Sequence, residues 1–262
     1  MYEALFQPMK IGELEIKNRF VMPAMNSHYA DAKHHMTEQA CNYYGERALG
    51  GFGLLITEFL CVSEEGLAYP MQAAIYDDEF IPSFSRLTGR VHENGGRIFA
   101  QLQHSGRMQG KGSTDKMAVG ASNIPDKANL IPVHELTEAE VKEVVKKFVA
   151  AAVRAQKAGF DGVEVHGAHG YLLAQFLSRG VNKRVDRYGG SVSNRARIVC
   201  EIVEGIKEAC GKAFPVCVRT SGDEGYDGGN RIEDAAAQAI LFEAAGADAI
   251  HISHGIAIQV QL

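Results

Sequence analysis

Residues 137–166, TEAEVKEVVKKFVAAAVRAQKAGFDGVEVH, decide the fold class of this chain. Apolar residues recur in the first part of the stretch at the 3.6-residue spacing of a helix with one buried face. Thr137 and Glu140 stand at the positions of a capping box, which predicts where that helix begins. Gly159 then permits a left-handed turn, and the short apolar run at residues 161–166 has the character of a buried strand. The stretch therefore predicts a helix that turns back into a parallel strand.

The same alternation of helix and strand patterns extends over the rest of the chain. Strands are predicted at residues 20–25, 53–59, 97–104, 161–166, 215–220 and 248–253. Helices are predicted at residues 38–49, 80–93, 137–158, 195–209 and 232–245. Several strands are nearly continuous apolar runs, as expected for parallel strands that are covered on both faces. The pattern predicts an α/β fold with a parallel sheet.

The number of strands bears on how the sheet closes. Six strands begin near residues 20, 53, 97, 161, 215 and 248, so each strand–helix unit takes about 46 residues. A TIM-type (β/α)₈ barrel would need two more units, about 80 residues beyond Leu262. We therefore expect either an open six-stranded sheet or a barrel with only about six of its units present. The long irregular stretch at residues 105–135 follows the third strand, where loops that cover a substrate are common.

Composition excludes several classes of function. The 262 residues carry a net charge of −5, which gives no electrostatic reason to expect nucleic acid as a partner. No apolar run approaches the length of a membrane span, and the first residues lack the apolar core of a secretory signal, so a cytoplasmic protein is expected. The five cysteines form no C-x-x-C pair, which argues against structural zinc and iron–sulfur clusters. A homo-oligomer is left open.

Polar residues gather where the predicted strands end, which is where α/β proteins place their active sites. These residues are Asn26, His28, Gln101, Gln103, His104, His166, His169, Tyr171, Arg219, His251 and His254. Because side chains alternate along a strand, Glu164 shares a face with His166, and Cys217 with Arg219. If both faces point into one mouth, His166 and Arg219 meet there. In the simpler structural interpretation, each histidine is a hydrogen-bonded structural residue and Arg219 neutralises Glu164.

The sharpest motif is HGAHGY at residues 166–171. Two imidazoles three residues apart, just past a strand, can both point at one anion or carbonyl oxygen, and Tyr171 can then donate a proton nearby. The same imidazoles could ligate a metal, but no acidic residue stands at a ligand-like spacing, so no metal site is predicted. The glycine pairs do not form G-x-G-x-x-G after a strand, which disfavours a dinucleotide-binding Rossmann fold.

Five segments together resemble the old yellow enzyme family of flavin-dependent oxidoreductases, and most of all its bacterial 2,4-dienoyl-CoA reductase and ene-reductase branch. The segments are LFQPMKIGELEIKNRFVMPAMN (5–26), QLQHSGR (101–107), GFDGVEVHGAHGYLLAQFLS (159–178), NKRVDRYGGSVSNRARI (182–198) and VRTSGDEGYDGG (218–229). The resemblance implies one FMN-binding barrel domain over residues 1–262 that lacks its last two βα units. It also implies an enzyme that reduces the C=C bond of α,β-unsaturated carbonyl, enoyl or dienoyl compounds, with NADH or NADPH as reductant.

The resemblance also assigns roles to individual residues. The backbone of Pro23, Ala24 and Met25 would hold one edge of the FMN ring. Gln101 would bond its pyrimidine ring, and Arg219 would lie near N1 and O2, where a cation suits the negative charge of reduced flavin. The pair His166 and His169 would bind the substrate oxygen and polarise the alkene, and Tyr171 would donate the second proton.

Three residues depart from the family pattern. Asn26 replaces a cysteine or threonine, Phe59 stands where a small residue is usual, and Arg179 stands where proline is usual. The units that bind the FMN phosphate in the family also have no counterpart in these 262 residues. Two alternatives therefore stay open: a fragment that binds no FMN and is completed by partner strands, and a barrel metallohydrolase.

Overall fold

The computed structural model describes residues 2–127 and 130–255 and contains a parallel sheet flanked by helices. The strands are β1 Met9–Ile11, β2 Leu14–Ile16, β3 Val21–Met22, β4 Leu54–Cys61, β5 Arg97–Gln103, β6 Ala118–Gly120, β7 Val133–Glu135, β8 Gly162–Gly167, β9 Val216–Asp223 and β10 Ala249–His254. The α-helices are α1 Glu38–Leu49, α2 Ile81–Glu93, α3 Glu138–Lys157, α4 Leu172–Leu177, α5 Val192–Cys210 and α6 Ile232–Ala244. Six strands form the main sheet in the order β10-β9-β8-β5-β4-β3, with every neighbouring pair parallel. The predicted α/β fold with a parallel sheet of six strands is confirmed.

Local signals in the sequence account for the ends of the helices. Thr137 caps α3 and, with Glu140, forms both hydrogen bonds of the predicted capping box. Gly159, Gly211 and Gly246 lie just beyond α3, α5 and α6 with φ of 88°, 89° and 105°. This left-handed backbone favours glycine because it has no Cβ, so each helix stops where the next strand must begin.

The two faces of the sheet pack against different partners. The outer face carries side chains such as Ile98, Val163 and Val218, which are buried in one large core together with the helices. Inner-face side chains, among them Leu54 and Cys217, pack instead around the β1–β2 hairpin. Because this inner cluster joins β4 to β9 across two intervening strands, the sheet must curl around it as a partial barrel.

The ends of the curled sheet expose apolar surface. Strands β3 and β10 are the two outermost strands of the sheet. Ile252 on β10 is 57% exposed, and Ile232 and Ile240 on α6 are 66% and 67% exposed. The inner face also encloses an apolar cavity of about 350 Å³ that reaches from Ile11 to His251. Among the described residues, no helix has the length and apolar character needed to cross a membrane.

Three features differ from the sequence-based expectations. The first strand covers only Val21–Met22, because Pro23 has no N–H with which to continue the ladder. The β1–β2 hairpin, which turns at Gly12, was not predicted. The stretch at residues 105–135 is also less irregular than expected, since β6 and β7 form a short parallel pair within it.

Candidate active site

Strand register brings the predicted polar side chains to one mouth of the partial barrel. Gln101 on β5 is level with Glu164 on β8, which in turn is level with Cys217 on β9. Two residues further toward the carboxyl ends of the strands, His166 is level with Arg219, and Arg219 is level with His251 on β10. The predicted meeting of His166 and Arg219 is therefore confirmed.

Glu164 is the centre of a buried hydrogen-bond network at the base of this mouth. Its side chain has no solvent exposure. Oε1 accepts a hydrogen bond from Gln101 Nε2 at 2.7 Å, and Oε2 lies 2.7 Å from His251 Nδ1 and 3.5 Å from Cys217 Sγ. The simpler interpretation, in which Arg219 neutralises Glu164, is wrong, because His251 occupies that position from the neighbouring strand.

Arg219 is a cation for which the described residues provide no partner. Its Nε is buried and makes no hydrogen bond, and within residues 2–127 and 130–255 its guanidinium forms no ion pair. Leaving a buried donor unsatisfied costs about 1–3 kcal/mol, so such atoms are rare in native proteins. An unpaired guanidinium beside three imidazoles therefore points to an anionic or oxygen-rich ligand that completes the site.

His166 and His169 form a chain of neutral imidazoles. Burial, followed by the charges of His169, Arg219 and His251, holds the pKa of His166 well below its ordinary value. Burial and the charges of Arg219 and His251 lower the pKa of His169 to about 4. Both rings are therefore uncharged at neutral pH, and each has one N–H donor and one acceptor nitrogen.

The hydrogen bonds around the pair fix which nitrogen carries the proton. The backbone N–H of Ala168 donates to His166 Nδ1 at 3.3 Å, so the hydrogen of His166 lies on Nε2. That nitrogen is 3.4 Å from His169 Nδ1, and His169 Nε2 is 2.6 Å from Ser253 Oγ. His169 also has a φ of 63°, an unfavourable conformation for a residue with a Cβ and one often found at functional sites.

Aromatic rings form the wall on the opposite side of the mouth. The ring of Phe59 lies 5.4 Å from Tyr171, 5.8 Å from Tyr69 and 6.4 Å from His166. Burial raises the pKa of Tyr171, so its hydroxyl stays protonated at neutral pH. The ring of His28 lies 4.6 Å from that of Tyr69, at an angle of 53° between the ring planes. The mouth thus has a polar side made of imidazoles and an apolar side made of rings.

The loop after β3 reaches the same mouth. Ala24 packs against the inner cluster, Pro23 lines the cavity beneath it, and Met25 is 61% exposed. Ser27 Oγ donates to Glu58 Oε1 at 2.6 Å, which fixes this loop to β4. Pro23, Ala24 and Met25, which are predicted to hold one edge of the cofactor, therefore lie in the loop after β3 and not in the strand itself.

Sequence reasoning missed two contributors to the site and included two residues whose side chains are bonded elsewhere. Glu58 and Ser253 were not predicted, although an acid within the apolar run of β4 is itself an unusual signal. Gln103 Oε1 accepts a hydrogen bond from Gln72 Nε2 at 2.9 Å. His104 Nδ1 accepts one from the backbone N–H of Gly106 at 3.0 Å, and its Nε2 lies 3.7 Å from Glu65 Oε1. In the part of the chain that the structure describes, no three His, Cys, Asp or Glu side chains converge as a metal ion would require.

Comparison with known proteins places this architecture in a family. A 42% identical relative, the NADH oxidase of Thermoanaerobacter brockii, matches 96% of this chain, which spans 39% of that protein. The cinnamate reductase of Clostridium sporogenes is 43% identical over 84% of this chain and 34% of its own length. The chain thus spans well under half of these relatives.

A solved structure supports the fold over nearly the whole chain. The old yellow enzyme homologue from Zymomonas mobilis superposes with a TM-score of 0.87 and 30% identity, covering 98% of this chain and 75% of that one. The family model of the NADH:flavin oxidoreductase / NADH oxidase family matches residues 4–262. The old yellow enzyme resemblance is therefore confirmed, and this chain belongs to the NADH:flavin oxidoreductase / NADH oxidase family.

Proposed function

We propose that this chain binds FMN and uses NAD(P)H to reduce the C=C bond of an α,β-unsaturated carbonyl or enoyl compound. The observation that carries the proposal is Arg219, whose buried Nε lies beside the imidazole pair and has no partner among residues 2–127 and 130–255. A fixed cation at this place suits a cofactor that gains negative charge when it is reduced. The names of the relatives, NADH oxidase and cinnamate reductase, agree with reductase chemistry on a small unsaturated molecule.

The residues present fit a flat aromatic cofactor. Gln101 and Arg219 belong to β5 and β9, which flank β8, so their strands lie about 10 Å apart. One tricyclic ring can therefore meet the amide at one side and the guanidinium at the other. The loop at Pro23, Ala24 and Met25 would supply backbone groups along a further edge. Bound FMN would supply hydride transfer, taking a hydride from NAD(P)H and delivering it to the alkene.

The imidazole pair would bind the substrate oxygen. Since both rings are neutral, each carries one N–H donor, and a substrate carbonyl would displace the hydrogen bonds that these donors make in the free protein, from His166 Nε2 to His169 Nδ1 and from His169 Nε2 to Ser253 Oγ. Two such donors polarise the carbonyl and make the β-carbon electrophilic, which stabilises charge where it develops in the transition state. In the free protein, His169 Nε2 lies 2.6 Å from Ser253 Oγ, and this hydrogen bond orients the His169 ring before the substrate arrives.

Tyr171 would complete the reduction by donating a proton to the α-carbon. Its ring lies 5.1 Å from that of His166, so its hydroxyl belongs to the same pocket as the substrate oxygen. The raised pKa keeps the hydroxyl protonated and ready to act as a general acid. After the transfer, solvent can return the proton, because the residue is only partly buried.

A flavin titration followed by a coupled assay tests the proposal. The purified chain should quench the fluorescence of added FMN, gain a visible flavin spectrum, and then oxidise NADH or NADPH when an enone is present. Arg219→Met serves as the matched control and should bind FMN more weakly. A colourless protein that leaves FMN fluorescence unchanged would overturn the proposal and favour a cofactor-free fragment.

A further inference from the structure

Glu164 is a buried carboxylate beneath the mouth, and it accepts a hydrogen bond from the Gln101 amide. We infer that Glu164 is a positioning residue that fixes the orientation of the Gln101 amide, so that its oxygen faces the cofactor. The inference rests on the proposed function, because it concerns the group that Gln101 would recognise. It adds a residue that touches neither cofactor nor substrate and acts through Gln101.

The hydrogen bonds of Gln101 are the basis for assigning this role to Glu164. Gln101 Nε2 donates to Glu164 Oε1 at 2.7 Å, and its backbone N–H donates to Thr57 Oγ1 at 3.1 Å. If the amide were flipped, its oxygen would face a carboxylate oxygen, and two acceptors cannot bond each other. Gln101 is 1% exposed, so no bulk solvent is available to stabilise the flipped form. The carboxylate therefore selects one of two otherwise similar rotamers.

The carboxylate is itself held in place from the other side. His251 Nδ1 lies 2.7 Å from Oε2, and the Cys217 thiol donates to the same oxygen at 3.5 Å. His251 comes from β10 and Cys217 from β9, so the position of Glu164 depends on the register of three neighbouring strands. Gln101 on β5 is thus oriented by a series of hydrogen bonds that runs from His251 on β10 through Glu164 on β8.

This orientation predicts which chemical group Gln101 recognises. With one N–H bound to Glu164, the amide presents its acceptor Oε1 toward the mouth. A ring N–H donor is the matching partner, and the pyrimidine ring of an isoalloxazine carries one at N3. The amide would therefore distinguish a flavin with a free N3–H from one that is blocked there.

The test compares FMN with N3-methyl-FMN on two proteins. Dissociation constants are measured by fluorescence quenching for the wild type and for Glu164→Gln, in which either amide orientation finds a partner. For each protein, the constant for N3-methyl-FMN is divided by the constant for FMN, and comparing the two ratios cancels the steric effect of the methyl group, which both proteins experience. We expect this ratio to be about tenfold smaller in the variant, the equivalent of one hydrogen bond.

The outcomes separate the inference from the proposed function. If the wild type binds neither flavin, the proposed function fails and the inference fails with it. If the wild type binds FMN and Glu164→Gln shows the same ratio, the positioning role alone is overturned. Should Glu164→Gln not fold, His251→Gln provides the second variant, since it disturbs Glu164 from the other side and should reduce the ratio in the same direction. An unchanged ratio in that variant would also overturn the inference.

Discussion

Replacing Arg219 with methionine should stabilise the cofactor-free protein and weaken its binding of FMN at the same time. The side chain of Arg219 contributes a buried Nε that no described residue satisfies. Methionine keeps an unbranched side chain of similar length but removes the unpaired donor and the charge. Relieving one unsatisfied donor is worth about 1–2 kcal/mol in the free energy of unfolding. In a chain of this size that corresponds to a rise in Tm of about 2–8 °C.

The same substitution has the opposite effect on cofactor binding. A guanidinium that meets a flavin oxygen or nitrogen makes a charge-assisted hydrogen bond worth about 1.5–3 kcal/mol. Arg219→Met should therefore raise the Kd for FMN by about 10- to 150-fold. A rise in stability combined with a loss of binding is characteristic of residues kept for function.

Arg195 provides a matched control, because it is a buried arginine whose guanidinium is fully used. It donates to the carbonyls of Leu177 and Gly190 at 2.9 and 2.6 Å and to Asp234 at 3.1 Å. Arg195→Met removes a charged donor from the two carbonyls and from Asp234 and should lower stability by about 3–5 kcal/mol. Thermal unfolding of both variants without cofactor should therefore give shifts of opposite sign.

The comparison has a clear refuting result. If Arg219→Met unfolds at a lower temperature than the wild type, as Arg195→Met should, its guanidinium contributes to the fold. The unpaired cation would then no longer support a ligand site. Titration calorimetry with FMN on the same samples provides the second half of the test. Equal FMN affinity in Arg219→Met and wild type would remove the guanidinium from the cofactor site.

Four further predictions follow from the geometry of the mouth. Changing both His166 and His169 to alanine should weaken the binding of a phenol such as 4-hydroxybenzaldehyde at least tenfold while FMN affinity changes little, and equal losses in calorimetric titrations would contradict the assignment. Tyr171→Phe should slow enone reduction by about 10²–10⁴-fold in stopped-flow traces but leave the preceding oxidation of NAD(P)H intact. Because the pKa of His169 is about 4 in the fold and ordinary when unfolded, the unfolded chain binds the extra proton between about pH 6.5 and 4. Urea unfolding should therefore show about 1–2 kcal/mol less stability at pH 4.5 than at pH 7, and His169→Asn should lose part of this difference. Phe59→Ala should lower KM for bulky enones more than for small ones, and a uniform change across a substrate series would show that Phe59 does not limit the pocket.

Much of the fold could be predicted because its signals are local. The stripe of α3, its Thr137 cap and the glycine that follows at residue 159 each depend on residues within one helix. The alternation of side chains along a strand also predicted that His166 and Arg219 would meet, since parity is a property of each strand alone. Where one element suffices to determine the structure, sequence reasoning succeeds.

At the mouth, what could not be predicted comes from interactions between distant residues. A register shift in β4 between Ile56 and Phe59 inserts an extra residue and turns Phe59 onto the inner face beside Gln101. No local pattern marks that bulge. The partner of Glu164 could not be predicted either, because His251 lies 87 residues away and competes with Arg219, which is nearer in the sequence. Which side chain pairs with a buried acid is decided by strand order and geometry.

The charge distribution in the mouth explains how a proton could be directed to carbon rather than oxygen. Burial, together with the charges of Arg219 and His251, lowers the pKa of His169, so in the proposed reaction the substrate oxygen meets a neutral imidazole N–H and not an imidazolium. A neutral N–H stabilises negative charge on that oxygen but does not readily surrender its own proton. Tyr171 then offers the proton from the aromatic side of the mouth, near the carbon framework. Arg219 would thus serve twice, as an anchor for the cofactor and as a charge that adds to the effect of burial in keeping the imidazole pair neutral.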